Sequence, residues 1–174
     1  MRKAPALAAT LLTLALAPPP AAAVPAPTLS DAQRQRLACD FGETVVRSLD
    51  AQSLMDLDPV APAAIGPRDD PLVAAWRARG PTNLLTACPH LKDRLPPGVR
   101  FATPDDHAEA ARAIGARSVF ITRFAAPYVS RDGQQLLHVQ TWKCPGLCGG
   151  FVLSRLRREG AGWGPPEILA MSIA

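Results

Sequence analysis

Between Ser118 and Ile173 the chain breaks into four apolar runs separated by three turns, and this limits the fold more than any other feature of the sequence. The runs are SVFITRFAAPYVS, QLLHVQTWK, FVLSRLRR and WGPPEILAMSI; RDGQ, CPGLCGG and EGAG stand between them. Asp132-Gly133 supplies the positive φ that a tight hairpin turn demands. Three consecutive hairpins predict a four-stranded antiparallel meander. Proline cannot donate to a strand ladder, so Pro127 and the pair Pro165-Pro166 must lie at strand ends, edges or bulges.

Upstream, the periodicity is helical. Ser30 followed by Gln33 reads as a capping box, and Leu37, Phe41, Val45 and Leu49 recur at four-residue spacing, which predicts a helix reaching about Leu57. The prolines of DPVAPAAIGPRDDP make residues 58–70 a surface loop. Asp70 then caps a helix with Pro71 in its first position and Gly80 as its stop. In PTNLLTACPHLKDRLPPGVR, residues 81–100, Leu84, Leu85 and Cys88 suggest a brief buried turn ended by Pro89. Thr103, Pro104, Asp105 and Asp106 start a further helix running to Ile114 and stopping at Gly115. The expected fold is therefore α+β, with N-terminal helices over 30–115 packed on the meander over 118–173 as one domain, 30–174.

The opening MRKAPALAATLLTLALAPPPAAA places Arg2 and Lys3 before an apolar run, Ala6 to Ala17, and ends in small residues. This is the order of a secretory signal peptide, and the run is too short for a membrane span. Cleavage is expected after Ala23, leaving a flexible arm at 24–29. Cleavage after Ala17 would leave Pro18 at the new N-terminus, a poor peptidase product. No cysteine ends the apolar run, the first being Cys39, so lipid attachment and a transmembrane anchor are not expected, and the protein is assigned to the periplasm or the medium. Removing 23 of 174 residues leaves 17 Lys and Arg against 15 Asp and Glu. That balance is an ordinary solvated surface and gives no reason to expect nucleic acid.

Cys144 and Cys148 bracket the turn between the second and third predicted strands, facing each other across a loop of three residues. Opposed residues of an antiparallel pair have Cα atoms about 4.5–5.5 Å apart, close to what a disulfide needs. In an exported chain oxidation is the default, so these two are expected to staple the turn. Cys39 and Cys88 then close the count by pairing with each other, although four cysteines allow three pairings. Redox catalysis would want Cys-x-x-Cys at a helix start or beside a cation, whereas here the spacing is Cys-x-x-x-Cys and the turn leads into a strand. A copper or zinc site on Cys144 and Cys148 would need His90 or His138, and His138 lies about 20 Å from Cys144 if their shared strand is straight.

The run from Arg123 to Trp163 resembles the C-terminal half of a group of uncharacterised bacterial exported proteins. In these a strand ending near proline precedes an Asp-Gly hairpin, a C-G-x-L-C-G-type turn, and a last strand opened by tryptophan. The likeness spans about a third of the mature chain. Pro145 stands where that group carries Gly, and EILAMSIA lacks its Trp-Ile-Ser finish. The resemblance implies export, a sheet and the cysteine turn, and assigns no activity.

Other chemistry is sparse. Asp105, Asp106, His107 and Glu109 look like an acid–base or metal cluster, but helix-start chemistry accounts for the acids. Ser154, Arg155, Arg157 and Arg158 alternate with Val152 and Leu156 as the solvated side of a strand, and Trp142 and Trp163 flank the later turns. No nucleophile elbow, zinc-helix motif, phosphate loop or dinucleotide fingerprint occurs. The reading is an exported, disulfide-stabilised domain without catalysis or cofactor, structural or binding a protein or cell-envelope partner. Two alternatives stand beside it: a periplasmic copper- or zinc-binding protein using the cysteine turn, and a small hydrolase whose site is dispersed.

Overall fold

The computed structural model describes residues 27–60, 65–112, 120–146 and 148–173. The expected signal peptide, Ile114, Gly115 and Leu147 lie outside these, but the helix expected to run to Ile114 already ends at Ala110, with Ala111 as its cap. Helix α1 spans Asp31–Arg47, and its capping box is formed as read, Ser30 with Gln33. It ends ten residues before the expected Leu57. Ser48 caps it, and the Asp50 carboxylate then accepts the Gln52 N–H and the Ser53 hydroxyl, which turns the chain away from the helix axis.

The turned chain enters β1, Leu54–Met55, a strand hidden in what periodicity read as helix. Helix α2, Pro71–Arg79, starts at Asp70 and stops at Gly80 as expected. Asn83 caps α3, Leu84–Ala87, the brief buried turn that ends before Pro89 as expected, and Pro89 then opens a 3-10 turn, Pro89–Arg94. Strand β2, Arg100–Phe101, precedes α4, Pro104–Ala110, whose Thr103 and Asp106 form a second capping box.

The meander is present but each outer row is broken. Strands β3, Ile121–Phe124, and β4, Tyr128–Val129, both pair with β5, Gln135–Lys143, and Pro127 falls in the irregularity between them. Gly133 turns the β4–β5 hairpin at φ 71°. Strand β6, Gly149–Glu159, pairs with β5 over nine residues. On its other side run β7, Gly162–Trp163, and β8, Glu167–Ile173, with Pro165-Pro166 in the gap.

The sheet is larger than a four-stranded meander and it is mixed. Strands β1 and β2 add to the β3 edge in parallel, giving the row order β2-β1-β3-β5-β6-β7, with β4 and β8 completing the broken rows. Parallel neighbours need a crossover, and the segments carrying α2, α3 and α4 provide it. Adjacent residues of a strand face opposite sides. Leu136 meets Ala38 and Leu156 under α1, while Leu137 and Val139 meet Val73 and Trp76 of α2, so α1 and α2 cover opposite faces. Ala110 of α4 packs on Leu54 and Ile121, on the α2 side.

Candidate functional site

The structure joins Cys144 to Cys148, with Cα atoms 5.0 Å apart, and Cys39 to Cys88, with Cα atoms 5.7 Å apart. The Cys144 amide donates to the Cys148 carbonyl at 3.2 Å, and the Gly146 amide donates to the Arg112 carbonyl just past α4. The stapled turn is thereby docked on the helix. Cys144 is buried and Cys148 exposed.

The histidines named as alternative ligands lie apart from this turn. His90 sits exposed on the 3-10 turn. His138 stands toward the middle of β5, stacked on Phe124 at 5.9 Å and edge-on to Phe41 at 5.3 Å. Its Nε2 is closed off from solvent without a hydrogen-bond partner. Burial lowers its pKa to about 4, so the ring is neutral at pH 7. Among the described residues no three His, Cys, Asp or Glu side chains are grouped to hold a metal ion.

His107 is drawn into a network that no local motif announced. Asp56, at the end of β1, is buried and accepts the Arg123 Nε at 2.6 Å and the Asp58 amide at 3.0 Å. His107 Nε2 lies 3.5 Å from the same carboxylate, and Arg123 reaches Asp58 at 3.2 Å. Asn83 donates to the carbonyls of Asp56 and Asp58, holding the strand end in place. Burial opposes the Asp56 charge, but the Asp58 amide and Arg123 outweigh it, and the carboxyl is held below its ordinary range. The neighbouring acids do different work: Asp106 caps α4 and accepts both nitrogens of the Arg100 fork, which hold its carboxyl far below the usual range, while Asp105 is exposed.

A shallow cleft of about 240 Å³ borders this network, lined by Val60, Ile121, Arg123, Thr141, Trp142 and Lys143. On the other face a groove of about 570 Å³ opens at the C-terminal end of α1, where Phe120, Thr122, His138 and Gln140 meet Leu49 and Asp50. These sides differ from the expected solvated basic strand. Arg155 is turned to the α2 face, where it pairs with Asp70 and ties the start of α2 to β6. Ser154 is buried on the α1 face, and Arg158 lies over Trp163 at 5.7 Å. Arg157 alone of the set is exposed.

The groove continues into an open sheet surface, because α1 covers its face from Leu136 and Leu156 only as far as His138 and Phe124. Beyond it Trp142 lies across Gly150, where a Cβ would come within 2.6 Å of the indole, and Val152 pairs with Met171. Ile168, Met171 and Ile173 of β8 are 60%, 56% and 72% exposed, and Phe120 is 51% exposed. Four of the six large apolar side chains that stand exposed among the described residues lie on this face, Leu57 and Phe101 being the others. Comparison of the chain with family models, curated proteins and solved structures finds no match.

Proposed function

We propose that the chain is an exported domain, stabilised by its two disulfides, that works by binding a protein partner through the open end of its sheet. The carrying observation is the apolar surface at Phe120, Ile168, Met171 and Ile173, which stands exposed among the described residues while the rest of the sheet packs under α1, α2 and α4. Desolvating such a surface is favourable, by about 25 cal/mol for each Å² removed from water. The signal-like N-terminus and the fully paired cysteines support the exported setting.

The test is to export the full chain in a bacterial host with a photo-cross-linking residue at Met171 or, as a control on the opposite face, at Asp105. A discrete cross-linked species from position 171 and none from 105 supports the reading. Equal labelling at both positions, or none at either, removes it. The intact mass of the purified chain, taken without reductant, is expected to show cleavage after Ala23 and four hydrogens lost.

A further inference from the structure

We infer that β8 pairs edge to edge with the β8 of a second copy of this chain, antiparallel and about a two-fold axis. This deepens the partner-binding reading and rests on it. The two edges of the sheet are guarded very differently. At one edge β2 has two residues, Arg100 is held by Asp106, and Pro96, Pro97 and Pro104 stand close by. At the other, β7 has two residues, is followed by Pro165-Pro166 and has Arg158 over its tryptophan. Short edge strands, prolines and charges are the usual means of preventing edge-to-edge pairing.

Strand β8 is guarded only in part: Pro165-Pro166 and Glu167 stand at its start, Leu169 is an extra residue where its register against β6 shifts, and the run from Ala170 to Ile173 carries neither charge nor proline. The strand runs seven residues, roughly 23 Å, bonded on one side to β6, with no strand on its outer side among the described residues. Its sequence EILAMSI holds no proline and no cation. Half the backbone groups of such a strand point outward and want a partner, and another strand satisfies them all at once.

Charge selects the copy and its direction. The single charge of β8 is Glu167 at its start, 4.0 Å from Arg157. Antiparallel self-pairing sets the two Glu167 side chains at opposite ends and brings only apolar residues and Ser172 together between them. Parallel pairing would lay Glu167 beside Glu167, which like charge disfavours. A two-fold contact is self-complementary, so the same strand serves both sides. The operation also keeps the α1 faces of both copies on one side, which joins the two open surfaces into one floor between the two α1 helices.

The test uses the mature chain, its variants M171K and M171E, and light scattering over a range of concentration. Met171 lies next to the centre of β8, so each copy's residue 171 approaches its mate. The native chain is expected to reach the dimer mass and dissociate on dilution, each variant alone to stay monomeric with an unchanged melting temperature, and their equimolar mixture to regain the dimer. Should the variants melt early, hydrogen exchange of the native chain decides instead, with β8 amides alone gaining protection as concentration rises. A native chain monomeric at every concentration, or a dimer that M171K leaves intact, overturns the inference. If the chain is monomeric while position 171 still cross-links a different protein, the second copy falls and the partner reading stands; if there is no cross-link either, both fall.

Discussion

The two disulfides close loops of very different kinds. Cys39–Cys88 spans 49 positions and ties α1 to the end of α3, a segment that contributes only one isolated bridge, Asn83 to Ala125, to the sheet. It lies in the core with Val46, Leu84, Leu85 and Leu91, and Gly42 lets α1 sit so close that a Cβ there would come within 2.6 Å of Leu84. Cys144–Cys148 spans four positions and closes a hairpin that nine residue pairs already hold in register. Covalent closure is thus worth most where the sheet does not reach, and the molecule can be interrogated on that difference.

The largest effect is expected from removing the long-loop bond. In the chain-entropy picture a loop of about 50 residues is worth about 4 kcal/mol, so C39S/C88S should lose a large share of an ordinary domain's stability. Urea unfolding of this double variant checks it. A loss no greater than that of the turn variant would break the comparison at its root.

A second test asks whether the parallel strands, which carry no cysteine themselves, are held by charge as well as by packing against the Cys39–Cys88 core. Asp56→Ala leaves Arg123 without its main partner and frees the ends of β1 and β3. Because Arg123 is about a third exposed, the cost is expected at about 2 kcal/mol, below that of stranding a fully buried ion. Asp58→Ala, whose carboxylate is exposed, should cost little. Equal losses in the two variants would mean that burial of Asp56 is not what gives the network its strength.

His138 offers a third measurement, in pH. Its pKa falls from an ordinary value near 6.5 to about 4 in the fold, so between those values the unfolded chain binds a proton that the native chain refuses. Stability is therefore full above about pH 6.5 and declines as pH drops toward 4, by something on the order of 3 kcal/mol. His138→Phe keeps a ring between Phe41 and Phe124 and should flatten the profile in that window only. The lowered carboxyls of Asp56 and Asp132 act below it, since their contribution is lost only as pH falls under the usual carboxylate range. A profile unchanged by the substitution would show that His138 is not refusing the proton.

What could be read from the residues follows the same divide between local and distant contacts. The hairpins at Asp132-Gly133 and around Gly160 and the helix starts at Ser30, Asp70 and Thr103 are written in neighbouring residues, and the structure forms each of them. Strands β1 and β2 have two residues each, too short for any period, and they exist only because β3 stands beside them. For the same reason no local motif marks the Asp56–Arg123 contact, 67 positions apart. Asp56 and Asp58 flanking Leu57 was the one hint, an alternation that a helix to Leu57 concealed. The exposed side of β8 was legible as an apolar strand, but that its outer edge stays free depends on the order of the rows.

The smallest effect should come from the turn. For a loop this short the chain-entropy estimate is about 2 kcal/mol, and it assumes an unfolded chain without local structure. The Pro145-Gly146 turn and its flanking strands already bias that chain toward closure, so C144S/C148S is expected to lose about 1 kcal/mol or less. Its signature is local: the Gly146 amide, bonded to the Arg112 carbonyl, should exchange faster while the β5–β6 amides near Val139 and Leu153 keep their protection. If those central amides also open, the staple is holding the sheet together rather than anchoring one turn to α4, and the two disulfides are alike after all.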